Sequence, residues 1–447
     1  MVEVAATLRN EQLPIAPVVH HPTPEISHPT PPTQKSARAN HRQTDFHPKF
    51  ASPPPRCPAI IDAPPPLPHP PVTDFSAILD AVDTHPTPVA RRMAALLAPK
   101  SPAELENMAR ESAALTRQYF GKTMRLFAPL YLSNECVNNC AYCGFSRDNP
   151  IFRVTLAVEQ VVREAQHLDA EGFKHILLVA GEHPKFVSDG YLETCLEALR
   201  GFVPTLAIEV GPMEEPEYTR MVNAGAEGLV VYQETYDRDA YAAYHTAGPK
   251  KDFDWRLACP ERGAAAGFRR LGLGALFGLS DWRREAVRLA AHLEFLQNRC
   301  WKSSYTVSFP RLRPAAGGFE PTHPLCDRDF VQMLCAFRLC FPHLGIVLST
   351  RESAALRDAV LPLGVTTMSA GSHTEPGGYT GAGRRDLHLT VKGRRVELED
   401  TTKNDATATG QFDIADHRSA AEIAALLHQQ NFDPVWKDWD ESLLAHT

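Results

Sequence analysis

From about Arg125 onward, short runs of β-branched and aromatic residues alternate with longer stretches whose apolar positions recur at helical spacing. Eight runs are predicted as strands: Arg125–Tyr131, His175–Ala180, Thr205–Val210, Gly228–Tyr232, Arg270–Ala275, Ser304–Phe309, Gly345–Thr350 and Thr366–Ala370. Strand and crossover helix in alternation give a parallel sheet. Eight such units fit an α/β fold of the closed (β/α)8, TIM-barrel type, whose working residues sit at the C-terminal ends of the strands. Polar residues gather at those ends. A cysteine triplet follows the first run, Gly181-Glu182 the second, and Glu209 closes the third; Gln233-Glu234-Thr235 follows the fourth, Ser308 and Arg311 lie at the sixth, and Ser349-Thr350-Arg351 at the seventh.

The folded domain is expected to span 74–447, opening with the helical spacing of Phe75-Ser-Ala-Ile-Leu-Asp80 and two amphipathic segments, the second over Pro102–Phe120. Residues 1–73 hold nearly half of the 38 prolines and almost no hydrophobic periodicity, so they are expected to be disordered or polyproline-like. A charged, glycine-containing stretch near 381–410 shows no clear core face and reads as a surface excursion or hairpin. An amphipathic helix over Ser419–Gln430 closes the pattern, and a tail with Trp436 and Trp439 is expected to anchor to the body.

Composition narrows the class rather than the function. The 447 residues carry 46 Lys and Arg against 53 Asp and Glu, a net charge of −7, and the 43% apolar and 22% charged fractions are those of a soluble globular protein. Mild acidity argues against a nucleic-acid surface. No stretch is long and apolar enough to span a bilayer, and no basic segment precedes an apolar one at the N-terminus, so the cytoplasm is the expected compartment. Thiols stay reduced there, which disfavours a disulfide framework.

The chemistry begins with Cys136, Cys140 and Cys143, a Cys-x3-Cys-x2-Cys triplet with Tyr142 inside it and Gly144-Phe145 after it. One short loop with three thiolates can hold three irons of a [4Fe–4S] cube and leave the fourth open. Structural zinc wants four ligands, usually as two separated cysteine pairs, and no second pair follows; a catalytic zinc stays open as a reading, although three thiolates would make its water a poor acid. The bland alternative is three unligated surface thiols, which would be reactive. Cys57, Cys195, Cys259, Cys300, Cys326, Cys335 and Cys340 show no ligand spacing and read as packing residues.

The triplet with its tyrosine resembles the cluster motif of the radical S-adenosylmethionine superfamily. More narrowly, Pro129–Asn134, the loop Cys136–Phe145, Gly181-Glu182-His183, Val231–Tyr236, Ser308–Pro314, Ser349–Ser353 and Pro376–Tyr379 resemble the aromatic amino-acid lyases, above all the tyrosine lyases of thiazole biosynthesis. The resemblance runs from about Asp74 to the C-terminus and leaves out the proline-rich stretch and the charged excursion. It implies that the triplet holds the cluster and that the open iron binds S-adenosylmethionine, with Tyr142 beside the cofactor. Gly181 would let the backbone approach the cofactor and Glu182 would pair with its ammonium group, though a Gly-Glu pair is also a common turn. Gln233 and Glu234 would reach the ribose, and Glu209 is a further polar contact; each is otherwise a solvated strand end. Arg311, Arg313 and Arg351 offer planar forks for an amino-acid carboxylate, near Ser308, or else make surface ion pairs. Tyr131, ending the first strand, would face the substrate amine and manage its proton, or simply pack. Leu271-Gly-Leu-Gly-Ala275 reads as a strand that admits adenine or backbone closely rather than as a phosphate loop.

The implied reaction is radical cleavage of the Cα–Cβ bond of L-tyrosine to 2-iminoacetate (dehydroglycine) and 4-cresol, with S-adenosylmethionine going to 5′-deoxyadenosine and methionine, as a step toward the thiazole of thiamine. A flavodoxin- or ferredoxin-type reductant and a thiazole synthase partner are implied with it. A tyrosine lyase of hydrogenase maturation is the nearest rival; it would carry further cysteines near its C-terminus, whereas this chain has none after Cys340 and reads Pro434-Val-Trp-Lys-Asp438 there. A tryptophan lyase of the same shape is another rival. From a different class, an iron–sulfur scaffold or electron-transfer protein would supply all four ligands and need no arginine-lined mouth.

Overall fold

The structure is a computed structural model and describes residues 74–187, 190–396, 398 and 406–437. The proline-rich stretch 1–73, with Cys57, and Trp439 lie outside the described residues, as do 397 and 399–405 of the charged excursion.

Eight parallel strands close into a barrel: β1 (Thr123–Ser133), β2 (His175–Ala180), β3 (Thr205–Glu209), β4 (Ala226–Glu234), β5 (Arg270–Ala275), β6 (Ser304–Ser308), β7 (Gly345–Leu348) and β8 (Thr367–Ser369). They pair in chain order, and Arg125–Phe127 of β1 pairs with Thr367–Ser369 of β8 to shut the ring. All eight predicted runs are barrel strands. Their period of two explains the near-continuous apolar sequence. Leu126, Ile176, Ile208, Leu229, Leu271, Val307, Ile346 and Met368 point outward and are buried under the helices. Phe127, Leu177, Ala207, Val230, Gly272, Thr306 and Val347 point inward and line the bore. Nearer the C-terminal end, two residues on for Glu209, Tyr232 and Ser308 and four for Tyr131, the same inward parity places these side chains at the mouth.

Helices Phe75–Ala81, Pro88–Leu97 and Pro102–Phe120 precede the barrel and pack on its outer helices Trp282–Arg299 and Asp327–Cys340. The last of the three starts where Ser101 and Glu104 form a reciprocal cap with proline at the first turn. The closing helix, Ala420–Gln429, starts from a Ser419–Glu422 cap of the same kind. After it, Asp433–Val435 pairs parallel to the start of β1, and Trp436 packs edge-on to Phe173 at 5.4 Å, anchoring the tail as expected. Cys195, Cys259 and Cys335 are buried packing residues; Cys326 departs from that reading, being exposed at the start of Asp327–Cys340.

The charged excursion contains a hairpin, His388–Val391 with Arg394–Val396, turned by Lys392 (φ 49°) and Gly393 (φ 72°). It does have an inner face. His388–Thr390 pairs with Ile151–Arg153, and the buried His388 Nε2 lies 2.8 Å from Glu135 Oε1, next to the first cysteine of the triplet. Among the described residues no helix is long and apolar enough to cross a membrane.

Candidate active site

Beyond Ser133 the chain turns over the barrel mouth as the loop that carries the triplet, and the loop is tied down largely through its backbone. Buried Arg153 donates to the carbonyls of Asn134, Phe145 (3.0 Å) and Ser146 (2.7 Å). The Asn134 amide bridges the carbonyls of Phe152 (2.9 Å) and Thr409 (3.0 Å). Two approaches leave no room for a side chain. A Cβ on Gly181 would overlap the Glu135 carbonyl oxygen, and one on Gly144 would stand 2.5 Å from that of Gln411. The close approach expected at Gly181 is therefore present, but it is made by the triplet loop.

Cys140 is buried, while Cys136 and Cys143 are partly exposed. Burial pushes the Cys140 and Cys143 thiols up, so without a metal they stay neutral; a bound iron cluster would supply the positive charge to draw their protons off. Three thiols spaced Cys-x3-Cys-x2-Cys along one loop are a donor set that fits a [4Fe–4S] cluster with one iron left open.

Around the loop stands a charged ring that couples successive strand ends. The Glu182 carboxylate accepts from Asn138 Nδ2 (2.7 Å), and its carbonyl accepts from the Val137 amide (2.8 Å). Glu234 takes a left-handed backbone (φ 71°), costly for a residue with a Cβ and typical of sites held by their surroundings. Its carboxylate lies 2.6 Å from Lys250 Nζ and 3.6 Å from Arg256. Burial works to raise the Glu234 carboxyl, but the two cations outweigh it and keep it anionic. Glu209 shows the opposite outcome: burial and then the negative Glu234 push its carboxyl up to about 7, with Arg351, Arg256 and Lys250 opposing. Two carboxylates on neighbouring strands are thus driven to different protonation states at neutral pH. Tyr131 donates from its hydroxyl to Gln411 Oε1 at 2.8 Å, and burial followed by Glu209 keeps that phenol protonated.

The mouth brings together Tyr131, Glu209, Tyr232, Ser308, Ser349, Arg351, Gln411 and Phe412. Of the three candidate arginines only Arg351 is among them, its guanidinium 3.3 Å over the Phe412 ring. Arg311 is engaged elsewhere: it donates to Glu352 from Nε (2.9 Å) and Nη2, and from Nη1 to Asp327 (2.7 Å) and to the Leu325 carbonyl (3.0 Å). Arg313 is half-buried off the mouth, its Nε without a partner among the described residues. Gln233 is also set aside, because it is buried with Nε2 donating to the Phe253 carbonyl (3.3 Å), on the outer side of a strand whose Tyr232 faces in. Tyr142 is buried beside Cys140 and bonds His245 Nε2 at 2.7 Å. His245 Nδ1 is 2.8 Å from the Tyr241 carbonyl, so that nitrogen carries the hydrogen and Tyr142 donates to the other. Sequence reasoning missed Asn138, Lys250, Arg256 and Gln411. Asn138 lies inside the triplet spacing, and Lys250 follows a Gly-Pro turn after the fourth strand, which are usable signals; Gln411 sits just past the excursion and offers none.

Residues 130–290 match the family model "Radical SAM superfamily", and residues 308–433 match "Biotin and Thiamin Synthesis associated domain". The second match runs through the charged excursion. A barrel of this kind with three loop cysteines at its mouth is a radical S-adenosylmethionine enzyme, carrying a [4Fe–4S] cluster and S-adenosylmethionine. The chain is 46% identical over 352 residues to the 2-iminoacetate synthase of Escherichia coli strain K12, covering 78% of this chain and 87% of that one. Identity to the 2-iminoacetate synthase of Salmonella typhimurium is 43%, with the same coverage. The solved structure of the [FeFe]-hydrogenase maturase HydG from Carboxydothermus hydrogenoformans superposes with a TM-score of 0.70 at 32% identity, over 81% of this chain and 80% of that one. The chain belongs to the 2-iminoacetate synthase family, and it is a lyase of the radical S-adenosylmethionine superfamily. That membership sets aside the scaffold reading.

Proposed function

We propose that the mouth residues divide the work of tyrosine cleavage as follows. The chain breaks the Cα–Cβ bond of L-tyrosine, leaving 2-iminoacetate and 4-cresol, for the thiazole of thiamine. When bound, the cluster and S-adenosylmethionine supply the 5′-deoxyadenosyl radical that takes a hydrogen atom from the substrate amine. Cys136, Cys140 and Cys143 would hold the cluster, and Glu182 would accept from the ammonium of S-adenosylmethionine. Glu234, kept anionic by Lys250 and Arg256, would offer a hydrogen-bond acceptor to the ribose of S-adenosylmethionine. Arg351 grips the tyrosine carboxylate, and the aromatic ring lies toward the bore, against Phe127, Leu177, Tyr232 and Val347.

The amine must be neutral before it gives up a hydrogen atom, so a proton acceptor is needed near it. Glu209, poised near neutrality beside Tyr131 and Arg351, takes that proton. The observation that carries this reading is the meeting of Arg351, Glu209 and Tyr131 in one cavity beneath the cysteine loop. Balance requires two electrons: one to cleave S-adenosylmethionine and a second, with a proton, to complete 4-cresol. A flavodoxin- or ferredoxin-type protein delivers them, a thiazole synthase consumes the unstable imine, and both place the enzyme in the cytoplasm.

The test is anaerobic, with reconstituted protein, reductant, S-adenosylmethionine and L-tyrosine. Joint appearance of 5′-deoxyadenosine and 4-cresol is expected. Deoxyadenosine formed with L-tryptophan but not with L-tyrosine would overturn the substrate assignment.

A further inference from the structure

Two side-chain amides stand against the cluster thiols, and each has its orientation fixed from the other side. Asn138 Oδ1 accepts the backbone N–H of Lys250 at 2.9 Å, which leaves Nδ2 to face Glu182 Oε2 (2.7 Å) and Cys136 Sγ (3.7 Å). Gln411 is pinned by its backbone: its N–H donates to the Thr374 carbonyl (2.9 Å), and its carbonyl accepts from the Gly144 N–H (3.0 Å). Its Oε1 accepts the Tyr131 hydroxyl at 2.8 Å, which sets Nε2 4.0 Å from Cys143 Sγ. Neither amide can be turned over at no cost, because an amide oxygen facing a thiolate would oppose two acceptors. One donor comes from within the loop and the other from a segment 268 residues away, and they reach two different thiols.

We propose that Asn138 and Gln411 are positioning residues for the reduction potential of the cluster, each directing an N–H at a thiolate ligand. The inference rests on the triplet holding the cluster. Reduction adds a negative charge that spreads onto the sulfurs, and N–H dipoles aimed at them stabilise the reduced form more than the oxidised one. The two amides therefore raise the potential and ease electron entry from the donor protein. Each also joins the cluster to a mouth residue: Asn138 to Glu182, and Gln411 to Tyr131.

Gln411→Met removes the donor at similar length, and Gln411→Glu keeps an acceptor for Tyr131 while placing an oxygen against Cys143. Asn138→Ala tests the other thiol. Each full-length variant is reconstituted anaerobically, its iron and sulfide are counted, and its reduction is titrated by the paramagnetic signal of the reduced cluster. With iron content at the wild-type level, the midpoint is expected to move to more negative potential in every variant and further in the Asn138→Ala, Gln411→Met pair. Arg311→Lys, which leaves both donors and the groups that orient them in place, is expected to shift it little. An unmoved midpoint in Gln411→Met and Asn138→Ala with the cluster intact overturns the proposal, as does an equal shift in Arg311→Lys. Failure of the underlying reading looks different: Cys143→Ala would then bind iron and show the same signal as the wild type.

Discussion

Glu209 ends β3 inside the mouth with its carboxyl pushed up to about 7 by burial and by Glu234, against an ordinary value of 4.5. The folded state therefore binds this proton more tightly than the unfolded chain does. For a group raised in this way, folding gains nothing and loses nothing below about pH 4.5, loses stability as pH rises toward 7, and carries the full cost above that. At about 1.4 kcal/mol per pH unit the gap amounts to about 3 kcal/mol at pH 8. Glu209→Gln keeps the shape, cannot ionise and escapes that cost. It is expected to be more stable than the wild type at pH 8 by up to about 3 kcal/mol, with the advantage fading by pH 5, while 4-cresol formation collapses. The assay is urea unfolding of both proteins at matched cluster content across pH 5 to 8, beside anaerobic turnover. Burial also raises the Glu285 carboxyl to about 7, but that contribution is common to both proteins, so the difference in slope between them belongs to Glu209. Equal stability of the two proteins at pH 8, or a Gln variant with normal turnover, would refute the reasoning.

Gly181→Ala sets a Cβ onto the Glu135 carbonyl next to Cys136, and overpacking of that kind typically costs about 1–3 kcal/mol. The variant is expected to fold and to hold substantially less iron after reconstitution, read by iron analysis. Arg351→Lys is expected to raise KM for tyrosine by roughly tenfold or more, since a point charge replaces a planar fork. Arg311→Lys should instead lower stability without a specific effect on KM, because Arg311 is bound to Glu352 and Asp327. Equal KM effects at the two positions would contradict the assignment. A chain beginning at Asp74 is expected to retain full turnover in the anaerobic assay, and loss of activity would show that the proline-rich stretch takes part in catalysis.

Local chemistry made much of this protein legible from its sequence. Strand period and turn spacing repeat in every βα unit, so all eight strands were predicted, and reciprocal caps mark the starts of Pro102–Phe120 and Ala420–Gln429. The cysteine triplet was legible because its three thiols lie within eight residues. Parity could also have sorted Gln233 from Glu234, since Tyr232 faces inward and its neighbour must face out. Tertiary structure alone decided the rest. Arg311 and Arg351 look alike in sequence, and only the fold brings Glu352 and Asp327 onto the first while leaving the second over Phe412 at the mouth. The charged excursion showed no core face because its buried residues are few, widely spaced and meet partners far off in the chain: Leu387 and Ala408 join the apolar core singly, and His388 is buried against Glu135 of the cysteine loop. Gln411 was invisible for the same reason. Its contacts lie 268 and 280 residues away, and no local pattern records which distant donor will meet which acceptor once the barrel has closed.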